Sequence, residues 1–196
     1  MDEPLERDVS EGREREERED ERRGRALFCG HRGAIGAARG RGPRAGGGLA
    51  LGLLHRLRDD GEGLPAGAVL ISPFLDCTAS GASLHDKAGQ DPIFTPDRIR
   101  GMGPVYLGDA DPRDPAASPL FASHAGLPPL LIQVGGAEVL LSDSERLARA
   151  ATDAGVNVTL NVADGLPHVY HNALATPEAT TAIAQLAEFT RAISPR

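Results

Sequence analysis

Apolar residues from position 42 onward are arranged in short runs that alternate with segments of helical spacing. Two runs, Ala68 to Pro73 and Leu130 to Val134, are almost continuously apolar, which is typical of strands buried on both faces. Residues 156–162 alternate apolar and polar side chains, which predicts a third strand. Helical spacing, capping residues or a closing glycine predict helices over 49–58, 96–106, 142–154 and 177–193.

This alternation of strands and helices predicts an α/β fold in which parallel strands alternate with the helices that cover the sheet. The connections between such strands are expected to be right-handed crossovers. Functional side chains of these sheets gather at the carboxyl ends of the strands, so the loops there are the first places to look for chemistry.

The first 41 residues have a different composition. Residues 1–25 hold 11 Asp or Glu and 7 Arg with hardly any apolar side chain, and residues 26–41 are mostly Gly, Ala and Arg. Such a segment has little apolar surface to offset the entropy lost on folding. We therefore predict two parts: a disordered or irregular segment over 1–41 and a folded domain over 42–196.

Charge and composition limit the partners, the location and the cofactors that we expect. The formal net charge of −7 argues against nucleic acid or an anionic membrane as partner. No run approaches the roughly 20 apolar residues needed to span a bilayer, and the charged start is unlike a secretory signal, so we expect a cytoplasmic protein. Cys29 and Cys77 fit no paired or metal-binding motif, so we expect free thiols and neither a metal nor another cofactor.

The first candidate for chemistry is a glycine-rich turn that leads into the helix over 49–58. Gly42, Arg44 and Gly46 have the spacing of the nucleophile elbow G-x-S-x-G, but Arg44 stands where the elbow has serine. A guanidinium stays protonated in proteins and cannot act as a nucleophile. A flexible lead-in to the helix and a phosphate-binding loop are the other interpretations of this turn.

The second and third candidates each follow a strand. Glu138 comes just after the strand at 130–134, where a carboxylate can orient an imidazole, and Asp143 is its rival. His168 lies on the loop after the last strand, in a position suited to a general base, and His171 is its rival. We interpret the three remaining histidines after the turn as ordinary helix or loop residues: His55, His85 and His124.

The order of the candidates adds information. Glu138 lies 94 positions after Arg44 (138 − 44), and His168 lies 30 positions after Glu138 (168 − 138). Elbow, acid and base follow one another in this order in the α/β-hydrolase triad.

From Gly42 onward the chain resembles the bacterial hormone-sensitive-lipase-like esterases, the α/β-hydrolase fold-3 family. The resemblance rests on the segments GGGLALGLL, VLISPFLDCT, DPIFTP, YLG, DPAASPLF, LPPLLIQVGGAEVLL and DGLPHVYH, within roughly 155 residues or about four-fifths of the chain. It implies hydrolysis of short or medium acyl esters by a Ser–Glu/Asp–His mechanism, with an acyl ester as the small-molecule partner.

The resemblance also implies individual roles. Glu138 matches the acid and His168 the base. Gly42 and Gly46 match the elbow, and Ala45 would give one backbone N–H to the oxyanion hole. Arg44 stands at the position of the family's nucleophilic serine.

Departures from the family lead to further expectations. The 43 residues before Arg44 do not contain the family's His-Gly-Gly-Gly oxyanion loop. We therefore expect a partial fold without the N-terminal half of the sheet, and an inactive polypeptide. The exposed edge of the strand at 68–73 could then support self-association. The alternative to an ester hydrolase is a non-catalytic remnant or a protein-interaction module. Residues 1–44 would be a foreign or frame-shifted start.

Overall fold

The structure, a computed structural model, describes residues 46–107, 109–172 and 176–193, together with the backbone of residues 26–29. The strands are β1 (Ala26–Cys29), β2 (Gly67–Ile71), β3 (Leu130–Gly135) and β4 (Val158–Ala163). The helices are α1 (Gly46–Asp59), α2 (Ser83–Asp86), α3 (Pro96–Leu107), α4 (Leu141–Asp153) and α5 (Pro177–Ile193). Short 3-10 turns cover Pro119–Phe121 and Tyr170–Asn172.

The strands form one parallel sheet in the order β1-β2-β3-β4. Ala68 on β2 pairs with Leu130 on β3, and Leu130 pairs in turn with Val158 on β4. Because every strand runs in the same direction, the carboxyl ends of β2, β3 and β4 meet along one edge of the sheet. The α/β architecture predicted from the apolar pattern is confirmed.

Element boundaries follow the sequence prediction to within a few residues. Helix α1 begins three residues before the predicted start, and β2 ends two residues before its predicted end at Pro73. The early end of β2 reflects Ser72, whose φ of 46° takes the chain out of the extended conformation. The four-residue helix α2 had no signal in the sequence.

Strand β1 departs from the prediction that residues 1–41 have no folded role. Ala26 pairs with Gly67 and Cys29 with Leu70, so β1 lies along the edge of β2 that was expected to be exposed. The run ALFC is the most apolar of the first 41 residues, and an edge strand needs only backbone hydrogen bonds to pair. The rest of the predicted disordered segment lies outside the described residues.

Two apolar clusters hold the elements together. The larger cluster packs α1 and α4 onto the sheet and includes Leu51, Leu54, Leu70, Ile132 and Leu147. The second cluster lies over the loops at the carboxyl ends of the strands and includes Phe74, Leu84, Phe94, Ile99 and Val139. Burial of one such side chain stabilises the fold by about 1.5–3 kcal/mol. The loops at the carboxyl ends of the strands therefore have an apolar core of their own.

Helix α1 approaches the turn after β2 very closely. A Cβ atom on Gly47 would lie 2.5 Å from the Cβ of Pro73, and one on Gly48 would lie 2.6 Å from the carbonyl oxygen of Phe74. Only glycine fits at these two positions. These two glycines therefore let the start of α1 pack closely against the chain that follows β2.

The described residues also bear on membrane, metal and thiol features. None of the helices in these ranges combines the length and apolar character needed to cross a bilayer. The same ranges contain no group of three or more His, Cys, Asp or Glu side chains that could hold a metal ion. Cys77 is a buried free thiol, and the side chain of Cys29 lies outside the described part of the chain.

Candidate active site

The carboxyl ends of β2, β3 and β4 bring three loops together. Ile71 pairs with Gln133, and the ladder continues as the Ser72 N–H donates to the Gln133 carbonyl at 2.8 Å. On the other side, Gly135 pairs with Ala163 at the last position of β3 and β4. The residues directly after these strands therefore face a common space.

Glu138 sits in the turn that follows β3. Its backbone N–H donates to the carbonyl of Gly135 at 3.2 Å, and its side chain is fully buried. A buried carboxylate is costly unless it accepts hydrogen bonds or faces a positive charge. The contacts of its two oxygens therefore decide what this residue does.

Both oxygens of Glu138 are occupied. Oε1 accepts the backbone N–H of Gly135 and the hydroxyl of Ser72, each at 2.6 Å. Oε2 lies 2.8 Å from Nδ1 of His168, itself only 5% exposed. The carboxylate is thus fixed by three donors: one at the end of β3 and one on each of the loops after β2 and β4.

The hydrogen bond to Glu138 determines the tautomer of His168. An ionised carboxylate only accepts hydrogen bonds, so Nδ1 of the imidazole must carry the proton. The ring is also held from one side by Phe94, whose ring centroid lies 4.6 Å away at an interplanar angle of 83°. This edge-to-face contact and the carboxylate together fix the plane of the imidazole.

Two glycines allow the acid loop and the base loop to touch. A Cβ on Gly135 would lie 2.2 Å from the carbonyl oxygen of Leu166, and one on Gly136 would lie 3.1 Å from Cα of Asp164. The Ala137 N–H donates to the Leu166 carbonyl at 3.0 Å across the same contact. The pair Gly135 and Gly136 in the sequence is therefore a close-packing device as well as a turn.

Comparison with protein families gives one match to most of the described chain. The family described as alpha/beta hydrolase fold matches residues 41–172. This chain belongs to the alpha/beta hydrolase fold family. The match includes both Glu138 and His168.

Relatives of this alpha/beta hydrolase are named as ester hydrolases. An acetyl-hydrolase of Streptomyces hygroscopicus is 45% identical over 130 residues, which cover 66% of this chain and 44% of the relative. An esterase of Acinetobacter venetianus is 39% identical over 150 residues, which cover 76% of this chain and 50% of the relative. The chain thus spans about half the length of these relatives.

Solved structures agree with the sequence relatives. An esterase from the bacterial hormone-sensitive lipase family superposes with a TM-score of 0.73 at 46% identity, covering 75% of this chain and 50% of that one. The structure of EstE5 superposes with a TM-score of 0.73 at 45% identity and covers 76% of this chain and 51% of that one. The resemblance to hormone-sensitive-lipase-like esterases is confirmed.

The rivals of the acid and the base lie in other environments. Asp143 is in the first turn of α4, where it accepts the Leu75 N–H at 2.9 Å and pairs with Arg146 at 2.7 Å. Burial raises the pKa of Asp143 to about 6. His171 lies 2.8 Å from Oε1 of Gln133, and burial lowers its pKa to about 4.

Two histidines interpreted as ordinary residues form a buried pair in the hydrolase. Nε2 of His55, on α1, lies 3.2 Å from Nδ1 of His124, and the two rings stack with centroids 5.3 Å apart. Burial, followed by the neighbouring His124, lowers the pKa of His55 to about 4. The sequence had no signal for this contact because 69 positions separate the two residues. His85 is exposed, as an ordinary helix residue would be.

The elbow of the hydrolase lies mostly outside the described residues. Gly42, Arg44 and Ala45 are not described, whereas Gly46 is the first residue of α1. The assignment of Arg44 to the nucleophile position and of Ala45 to the oxyanion hole therefore stays a prediction.

Ser72 is the site residue that sequence reasoning missed. It directly follows the buried run of β2, so the rule that selected Glu138 and His168 would also have selected it. The predicted strand ends at Pro73, so the prediction places Ser72 inside the strand rather than on the loop after it.

A largely apolar cavity of about 510 Å³ lies elsewhere, along α1. Its lining includes Gly48, Leu49, Leu53, Phe74 and Met102. Neither Glu138 nor His168 lines this cavity.

Proposed function

We propose that this chain carries the acid and the base of a carboxylic-ester hydrolase, with Glu138 as the acid and His168 as the base. The observation that carries the proposal is the 2.8 Å contact between Glu138 Oε2 and His168 Nδ1, buried at the carboxyl ends of β3 and β4. The sequence offered two carboxylates and two histidines as candidates, and this contact joins Glu138 to His168.

The contact supports a defined division of labour. Nδ1 of His168 keeps its proton and donates it in a hydrogen bond to Glu138. Nε2 is therefore the nitrogen that takes the proton from an attacking hydroxyl. The carboxylate then stabilises the imidazolium, which returns the proton to the leaving alcohol. The buried position of Glu138 strengthens this interaction because little water screens it.

The substrate class is proposed from the relatives. Proteins similar to this chain are named acetyl-hydrolase and esterase, which favours short or medium acyl esters. Since the chain spans about half the length of these relatives, the substrate of a whole enzyme remains part of the proposal.

We infer that the 196-residue polypeptide is itself inactive. Arg44 replaces the nucleophilic serine, and loss of a triad nucleophile costs about 10⁶ in turnover in a comparable serine hydrolase. Cys77 offers no substitute, because burial raises the pKa of its thiol and disfavours the reactive thiolate. The alternative, an interaction module that uses the edge of β2, has less support, since β1 occupies that edge.

An esterase assay on the purified chain tests this inference. With p-nitrophenyl acetate and butyrate, we expect the chain and its H168A variant to give equal rates. The exposed His85 provides the matched control, because H85A reports any hydrolysis by free imidazole. A rate that falls at least tenfold in H168A and not in H85A would show that the chain is active.

Labelling with a fluorophosphonate probe tests the missing nucleophile separately. We expect no gain of mass in the intact chain. We also expect no rescue in R44S of this 196-residue chain, because its residues 1–43 do not contain a His-Gly-Gly-Gly loop. Stoichiometric labelling of any residue in the unmodified chain would refute the inactive interpretation.

A further inference from the structure

Ser72 has an unusual backbone for a residue of its type. Its φ is 46°, in the left-handed region that non-glycine residues rarely adopt, and its side chain is only 3% exposed. A conformation of this kind costs of the order of 1–3 kcal/mol and persists only where the surrounding contacts enforce it. The strain turns the side chain of Ser72 toward the acid loop and the base loop.

The Ser72 hydroxyl joins these two loops. It lies 2.6 Å from Oε1 of Glu138 and accepts the backbone N–H of Val169 at 3.2 Å. A hydroxyl has one proton, and an ionised carboxylate only accepts, so Ser72 donates to Glu138 and uses a lone pair for Val169. The directions of both hydrogen bonds are thereby fixed.

Val169 is strained in the same way. It follows the base directly and has a φ of 50°, which is a genuine outlier for a β-branched side chain. Its N–H is the one that donates to the Ser72 hydroxyl. Two strained residues from loops 97 positions apart are therefore linked by one hydrogen bond.

We propose that Ser72 is a positioning residue, whose hydroxyl clamps the Glu138 loop to the His168 loop and holds the carboxylate so that Oε2 faces the imidazole. This inference rests on the proposed roles of Glu138 and His168. Ser72 acts through them, because its only proton is committed to the carboxylate. Without the hydroxyl, Oε1 keeps one donor, Gly135, and the carboxylate can rotate away from His168.

The test follows the Nδ1 proton of His168 by NMR in the full 196-residue chain. A proton in a buried imidazole–carboxylate hydrogen bond gives a resonance far downfield, and its loss in H168Q assigns it. S72A removes the hydroxyl and keeps the backbone strain, whereas S72G removes both. Ser118 provides the control, because its buried hydroxyl also accepts one hydrogen bond, from Cys77, and donates one, to Pro112.

We expect S72A and S72G to lose the downfield resonance or to raise its exchange rate with water at least tenfold, while S118A keeps it. Retention of the resonance in either Ser72 variant at the unmodified shift and exchange rate overturns the inference. S72A keeps the backbone strain and S72G relieves it, so the comparison of the two variants separates a hydroxyl role from a backbone role. In the unmodified chain, a Val169 amide that exchanges as fast as an unprotected one likewise overturns it.

The outcomes separate this inference from the proposed function. If the unmodified folded chain lacks the downfield resonance, the Glu138–His168 pair is absent and both proposals fail. If the resonance is present and insensitive to Ser72, the pair stands and only the positioning role fails.

Discussion

Nδ1 of His168 and Oε2 of Glu138 lie 2.8 Å apart although 30 positions separate them in the chain. Each residue follows a strand of the same parallel sheet, β3 for the acid and β4 for the base, so the sheet brings the two loops side by side. The glycine at position 135 then lets the loops touch. The geometry of the pair is therefore a property of these described elements, and it can be tested by mutation without reference to activity.

Replacing Glu138 by glutamine should destabilise the fold. Three donors converge on the carboxylate, and a Gln side chain must turn its NH₂ group toward at least one of them. We expect E138Q to lose about 1–3 kcal/mol in the free energy of unfolding, measured by urea denaturation. The exposed E145Q, on α4, should stay within about 0.5 kcal/mol of the unmodified chain. Equal stability of E138Q and E145Q would contradict the buried hydrogen-bond network.

Two Gly→Ala substitutions should have opposite effects. In G135A the new methyl group would lie 2.2 Å from a backbone oxygen that cannot easily move, so we expect a loss of about 1–3 kcal/mol or more. In G52A, within α1, no atom lies within 4 Å of the new Cβ, and the higher helix propensity of Ala should stabilise the fold by up to about 1 kcal/mol. Thermal unfolding of both variants checks the pair, and a neutral G135A would refute the close approach of the loops.

Arg146 pairs with two buried carboxylates near the loop that follows β2. Its Nη2 lies 2.9 Å from Asp76 and 2.7 Å from Asp143, whose side chains are 0% and 7% exposed. R146A leaves both charges buried without their cation, so we expect a loss of about 3–5 kcal/mol. R100A removes an exposed pair with Asp97 and should cost less than about 1 kcal/mol. Urea unfolding of the two variants should therefore differ clearly; similar midpoints would contradict this account.

Buried neutral histidines should make the fold sensitive to acid. Burial lowers the pKa of His55 and of His171 to about 4, from 6.5 in the unfolded chain, so the unfolded state binds more protons between these values. Each histidine then contributes stability that is present above pH 6.5 and is lost toward pH 4, at up to about 1.4 kcal/mol per pH unit.

Asp143 acts in the opposite direction. Its pKa is raised to about 6, so its contribution is present below the unfolded value of 3.8 and is lost as the pH rises through 6. One carboxyl offsets only part of the effect of two histidines. We expect the urea concentration at the unfolding midpoint to decrease between neutral pH and about pH 5, and to decrease less in H171Q. A midpoint that is unchanged, or an H171Q variant as acid-sensitive as the unmodified chain, would contradict the buried neutral state.

Much of the fold could be predicted because apolar runs determine where buried strands form. The runs at Ala68 and Leu130 gave β2 and β3 nearly to the residue, and the carboxyl-end rule selected Glu138 and His168. Strand β1 was missed because a four-residue edge strand depends on backbone pairing, which leaves little trace in composition.

Contacts between distant residues could not be predicted in the same way. The backbone strain at Ser72 and Val169 depends on loops that meet only in the folded chain, and the two residues are 97 positions apart. The His55–His124 pair depends on how α1 packs against the segment before β3. Such contacts follow from packing, for which a single sequence carries no local pattern.

Grafting residues 46–196 onto the N-terminal half of the Streptomyces hygroscopicus acetyl-hydrolase tests most directly whether Glu138 and His168 are an acid and a base. This relative is 45% identical over the matched region, so the described elements should pack in their own geometry. We expect the chimera to hydrolyse p-nitrophenyl acetate, and kcat/KM to fall by about 10⁴-fold or more in its H168A variant. Its H85A variant should keep full activity. An active chimera in which H168A lowers kcat/KM less than tenfold would contradict the assignment.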